Sequence, residues 1–127
     1  MSTRIEQLWP LFLVGDMAVS LAFYRDTLGF KVVGTAGSER FIFWCRLQRG
    51  GACLMLQQMD AGDSFIRSRD AFYIVCDDAD AICEELSGKG LEIKPPSVAY
   101  YGMKQVAVPE PDGREIVFEN RTKDLAE

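Results

Sequence analysis

This chain of 127 residues contains no histidine. The side chain that most often serves as a metal ligand and as a base near neutral pH is therefore missing. Its four cysteines, Cys45, Cys53, Cys76 and Cys83, form no C-x-x-C pair. A catalytic thiol usually needs a partner base to become thiolate, so reduced, buried thiols are the expectation. No apolar run approaches the roughly 20 residues that cross a bilayer. The start, Met1-Ser2-Thr3-Arg4-Ile5-Glu6, carries an early acid and no apolar stretch, unlike a secretory leader, so the expected compartment is the cytoplasm. Clustered positive charge is lacking too. The 14 lysines and arginines are scattered among 19 acids, for a net charge of −5. Phosphate backbones need basic stripes, so neither nucleic acid nor membrane is an expected partner. An acidic surface favours a neutral or cationic ligand.

What the chain does contain is a loose internal repeat. Sliding the sequence by 61 residues lays Val14-Gly15-Asp16 on Val75-Cys76-Asp77, Leu21 on Ile82, Gly29 on Gly90 and Val32 on Ile93. A repeat of half the chain length means two copies of one supersecondary unit, and two copies packed together predict a shared cleft.

The first copy reads as a strand over Leu8–Val14. Asp16 then caps a helix whose Met17, Leu21, Tyr24 and Leu28 form one apolar stripe, and Gly29 ends it. Phe30–Thr35 is extended. Arg40–Leu47 and Ala52–Gln58 make a hairpin around Gly50-Gly51, and Asp60–Arg69 is the linker. The second copy has a strand over Ala71–Cys76 and a helix capped by Asp77 or Asp78, with Ala79, Ile82, Cys83 and Leu86 on one face. A short strand follows at Leu91–Lys94, then a loop from Pro95 to Gly102. The closing strands Lys104–Val108 and Arg114–Asn120 are joined by Pro109-Glu110-Pro111-Asp112-Gly113. The tail from Arg121 to Glu127 is charged and expected to fray. Asp77-Asp78-x-Asp80 lacks the glycine and distal glutamate of a calcium loop and reads as helix capping. The pattern is βαβββ twice.

Val14-Gly15-Asp16-Met17, Ala22-Phe23-Tyr24 and Leu28-Gly29-Phe30, together with Tyr101-Gly102-Met103-Lys104 leading to Pro109-Glu110-Pro111-Asp112-Gly113, resemble the vicinal-oxygen-chelate superfamily of glyoxalases, bleomycin-resistance proteins and extradiol dioxygenases. The resemblance covers almost the whole chain. It implies an α+β fold of two tandem βαβββ modules forming a cupped mixed sheet, one domain over 1–127 with modules at about 5–59 and 70–121. It also implies a homodimer.

Metal-dependent relatives take one ligand from each of four strands. The resemblance puts those positions at Pro10, Met55, Ala71 and Val117. Three offer no lone pair, and the methionine thioether does not suit a hard cation. The resemblance therefore implies no metal, no other cofactor and no catalytic residue. The reading that remains is a small-molecule binding protein that sequesters a bulky ligand, such as a bleomycin-type antibiotic, in a dimer cleft. Its expected ligand-binding residues are Phe12, Trp44, Met55, Gln57, Tyr73, Tyr101, Met103, Gln105, Val117 and Glu119, with Tyr100 nearby. Aromatic rings and methionine give large apolar contact with flat compounds. Trp44 belongs to this set only if the hairpin register turns it inward. Two alternatives stand beside it. One is an enzyme that uses Glu115, Glu119 or Tyr73 as acid–base groups without metal. The other is a dimeric interaction module whose cleft is filled by its own side chains.

Overall fold

The computed structural model describes residues 2–60 and 67–122. Most of the expected linker, residues 61–66, and the end of the charged tail, residues 123–127, lie outside them. The chain divides into two compact units, Met1–Ile66 and Arg67–Glu127. The first holds β1 (Leu11–Val14), α1 (Met17–Leu21) continued by a π-helical stretch (Ala22–Thr27), β2 (Lys31–Gly37), β3 (Ile42–Arg49) and β4 (Ala52–Gln58). The second holds β5 (Ala71–Val75), α2 (Ala79–Gly88), β6 (Ser97–Val98), β7 (Met103–Pro109) and β8 (Glu115–Arg121). Each unit is a four-stranded sheet, in the orders β1-β4-β3-β2 and β5-β8-β7-β6. In both, the first strand runs parallel to the last and the other pairs are antiparallel. The fold is the expected α+β duplication of βαβββ.

The helices form where their caps and stripes predict. Asp16 accepts the Val19 N–H and Asp78 accepts the Ala81 N–H, each satisfying a donor that the first helical turn leaves free. Met17, Leu21, Tyr24 and Leu28 are all buried, against Cys45, Leu47, Leu54 and Leu56 of the sheet. In the second unit Ala79 and Leu86 are buried with Val106, Val108, Ile116 and Phe118. Burying a side chain of this size contributes roughly 1.5–3 kcal/mol.

Each helix is also tied at its start by a side chain from the unit's last strand. Gln58 Oε1 accepts the Met17 N–H at 2.7 Å, and its amide donates to the Gly15 carbonyl at 2.8 Å. Asn120 Oδ1 accepts the Ala79 N–H, also at 2.7 Å. These paired ties put the duplication at 62 residues, not 61: Asp16 matches Asp78 and Gln58 matches Asn120. An offset of 61 holds at Gly29 and Gly90, the left-handed residues after each helix, and the last strands return to 62. Cap to glycine takes one residue more in the first unit (29 − 16 against 90 − 78). The π-helical stretch absorbs it, since Leu28 N–H reaches back five residues to the Phe23 carbonyl at 2.9 Å. Replacing Gln58 with alanine strands the Met17 N–H and is expected to cost about 1–3 kcal/mol, read as a lower urea midpoint at unchanged slope.

Three expectations are corrected. The short strand at Leu91–Lys94 is irregular chain, and the edge strand is β6 inside the predicted loop. Strand β1 begins at Leu11, not Leu8. Asp78 is the helix cap in the second unit, not Asp77.

Candidate functional site

Each sheet has one face against its helix and one face away from it. Candidate binding residues belong on the second. In the first unit, register decides the matter. Leu11, Met55, Arg46 and Gly34 form one row across the sheet, and Leu13, Gln57, Trp44 and Ala36 form the next. Trp44, Met55 and Gln57 are therefore brought together on the face away from the helix. Trp44 stands opposite Gln57 rather than Met55; a slip of two residues keeps its side of the sheet.

Phe12 is not part of this face. It registers with Leu56, a fully buried core residue, so it points toward the helix. Leu11 and Leu13 take its place, both about half exposed. Pro10 is not a side-chain position here either. Its carbonyl accepts the Met55 N–H at 2.8 Å, and the residue that reaches this face from the start of β1 is Trp9. The Trp9 ring lies under the Arg46 guanidinium, 4.0 Å from ring centre to Cζ. A half-open hollow of about 350 Å³ at the end of β3 and β4 is lined by Phe41, Phe43, Gln57, Gln58, Met59 and Asp60. Of the sequence-predicted residues only Gln57 borders it.

In the second unit Tyr73, Val117 and Ala107 form one row, and Val75, Glu119, Gln105 and Ser97 the next. Met103 stands opposite Arg121 on the same face. Three of the predicted residues join in one hydrogen-bonded cluster. The Tyr101 hydroxyl donates to Glu119 Oε1 at 2.8 Å, and Gln105 Nε2 donates to the same oxygen at 2.8 Å. Glu119 and Val117 are buried, while Tyr73 is exposed. Tyr101 is placed by the turn before β7, where the Gly102 N–H bonds the Ala99 carbonyl. Tyr100 is fully exposed and meets Tyr101 edge to face, with ring centres 5.2 Å apart.

The hydrogen bond to Glu119 pushes the Tyr101 hydroxyl up to about 12, helped by burial and by the charge of Glu119. A negative charge on Tyr101 would face a carboxylate, so the neutral hydroxyl is favoured. Tyr101 is thus a donor at physiological pH. Because its folded value is raised, the stability it lends is complete below about pH 10, the ordinary tyrosine value, and is lost as pH rises toward 12. Ultraviolet titration should show Tyr101 ionising late, and Tyr101→Phe should reduce the late-ionising amplitude by one tyrosine, leaving that of the buried Tyr24.

The four positions that the resemblance assigns to metal ligands carry Pro10, Met55, Ala71 and Val117. Met55 lies beside Leu11, Val117 beside Tyr73, and Ala71 opposite Glu115. Among the described residues no three His, Cys, Asp or Glu side chains gather to hold a metal ion. Among the described residues no disulfide forms; Cys45 is buried, which pushes its thiol up, whereas Cys53, Cys76 and Cys83 are only half-buried, short of the buried thiols expected.

Sequence reasoning missed Trp9 and Arg46. The signal was present: Trp44-x-Arg46 on a strand puts both side chains on one face.

A sequence profile described as Glyoxalase/Bleomycin resistance protein/Dioxygenase superfamily matches residues 7–118. No curated protein matches the sequence. Among solved structures, a bleomycin-binding protein complexed with bleomycin is 22% identical, with 93% of this chain and 100% of that one covered and a TM-score of 0.74. TnmS3, an antibiotic binding protein from Streptomyces sp. CB03234, is 23% identical over 94% and 100%, with a TM-score of 0.70. A lactoylglutathione lyase from Agrobacterium tumefaciens is 16% identical over 92% and 95%, with a TM-score of 0.69. Identities this low establish the fold and not the ligand. No helix among the described residues is long and apolar enough to cross a membrane.

Proposed function

The chain belongs to the Glyoxalase/Bleomycin resistance protein/Dioxygenase superfamily, and we propose that within it this protein is a metal-free binder that sequesters a bulky, partly aromatic small molecule such as a bleomycin-type antibiotic. One observation carries the proposal. The faces away from the helices bear flat and apolar groups, Trp44, Met55, Leu11 and Leu13 in one unit and Tyr73 and Val117 in the other, with Gln57, Gln105 and Glu119 as hydrogen-bonding groups. Contact and stacking would supply affinity, and a few polar groups would fix orientation. No bond in the ligand is broken. The proposal includes the homodimer and cytoplasmic location that the sequence reading implies.

The likeness to antibiotic-binding structures supports it, and the likeness to a lactoylglutathione lyase favours a second reading, an acid–base enzyme. Glu119 would be its base. Its Oε1 already accepts two hydrogen bonds, which fits a fixed acceptor better than a proton shuttle.

The two readings part in a single experiment. Tryptophan fluorescence is titrated with bleomycin, and the compound is recovered and weighed by mass spectrometry. A parallel incubation uses the hemithioacetal of methylglyoxal and glutathione. Saturable quenching with unchanged bleomycin and no turnover supports the binder. Turnover of the hemithioacetal without metal supports the enzyme.

A further inference from the structure

Arg46 is the one charge in the two rows of the first unit's binding face; its neighbours there are Leu11, Leu13, Gly34, Ala36, Trp44, Met55 and Gln57. Strand alternation puts it there, since Cys45 and Leu47 on either side are fully buried against the helix. Its stem lies across β2 at Gly34, where an added Cβ would stand 3.5 Å from Arg46 Cδ. The guanidinium lies over the Trp9 ring, with Cζ 4.0 Å from its centre. Arg46 thus runs along β2 with its guanidinium against Trp9.

What it lacks is an acceptor. Arg46 Nε is shielded from solvent and has no hydrogen-bond partner. Among the described residues no carboxylate forms an ion pair with this side chain, although arginine elsewhere in the chain pairs with Asp26 or Glu110. A buried N–H without an acceptor costs free energy, more so on a charged group. Stacking on Trp9 offsets part of the charge cost but supplies no acceptor for the N–H. A cation kept on an apolar face, stacked on a ring and unpaired, is what recognition of an anion requires: the fork of N–H donors is ordered in advance, so little entropy is lost on binding.

We propose that Arg46 is an anion subsite, and that among bulky, partly aromatic molecules this face prefers one that carries an anionic group, such as a carboxylate, sulfonate or phosphate, over a cationic one such as a bleomycin. This refines the ligand-binding reading and rests on it. It also reverses the expectation from net charge. A chain at −5 favours cations at long range, whereas a fixed guanidinium on the binding face selects an acid at contact.

The test uses two fluorescent probes of one scaffold. 8-Anilinonaphthalene-1-sulfonate carries the anion and N-phenyl-1-naphthylamine lacks it. Each is titrated into the full chain and into the Arg46→Gln and Arg46→Lys variants, with circular dichroism as the check on folding. The proposal expects the sulfonate to bind at least tenfold more weakly to Arg46→Gln and less than tenfold more weakly to Arg46→Lys, while the neutral probe changes less than threefold in either. Equal loss of both probes, or no loss of the sulfonate, overturns the anion subsite and leaves the binding reading standing. Failure of the unaltered protein to bind either probe overturns both. Should Arg46→Gln not fold, the Arg46→Lys ratio decides alone: a sulfonate-specific weakening of threefold or more supports the subsite, and its absence overturns it.

Discussion

Glu110→Ala is expected to lower stability by about 3–5 kcal/mol, the range for removing one member of a buried charged set. Glu110 is 2% exposed, and Asp112 and Arg114 beside it are also buried. Its Oε1 accepts the Asp112 and Arg114 backbone N–H groups, at 2.6 and 3.1 Å, and Oε2 lies 3.4 Å from Arg114 Nη1. Around it the turn closes on its neighbours: Ser68 N–H bonds the Asp112 carbonyl and Glu115 N–H bonds the Asp70 carbonyl. Gly113 completes it at φ +98°, where a Cβ would sit 2.7 Å from the Ser68 carbonyl. Alanine at 110 strands two N–H groups and takes away the nearer of two acids at a buried guanidinium, leaving Asp112 Oδ2 at 3.9 Å. With a urea slope of about 1–3 kcal/mol per molar, the midpoint falls by roughly 1 M or more. Glu110→Gln keeps an acceptor oxygen and is expected to lose less than half as much. The effect reaches the candidate site, because this turn sets the register in which Gln105 meets Glu119.

The second large effect concerns binding. Trp44→Ala is expected to weaken binding of N-phenyl-1-naphthylamine by about thirtyfold, roughly 2 kcal/mol, the threshold for a dominant aromatic contact. Trp44 is the largest side chain in its row and stands between Gln57 and Ala36. Trp44→Phe keeps a flat face and is expected to retain most of the affinity. Calorimetric titration reads both, since the substitution alters the protein's own fluorescence. A loss confined to Trp44→Ala supports a stacking contact. Unchanged affinity in both would place the ligand elsewhere.

Particular residues show why some of this was legible in the sequence. The stripe of Met17, Leu21, Tyr24 and Leu28 was readable because apolar and polar positions alternate with the helix period, and all four are buried. Trp44, Met55 and Gln57 were readable because β3 and β4 alternate across the sheet. Phe12 was not. Leu11-Phe12-Leu13-Val14 is apolar at every position, so composition gives no phase, and only the pairing of β1 with β4 assigns the face. The count of 61 was half right for a similar reason: nothing local marks the extra residue that the π-helical stretch takes up. The ties of Gln58 and Asn120 join residues 41 apart in sequence, beyond the reach of any local pattern. Glu110 looked like an ordinary turn residue, and its burial depends on the tertiary packing around the turn.

Native mass spectrometry of the purified chain, before and after chelator treatment and with bleomycin added to each sample, tests the central claim most directly. The account predicts no stoichiometric zinc, nickel or iron in either sample, and the same fraction of intact bleomycin bound in both. One transition metal per chain, lost to the chelator together with the bound compound, would contradict it.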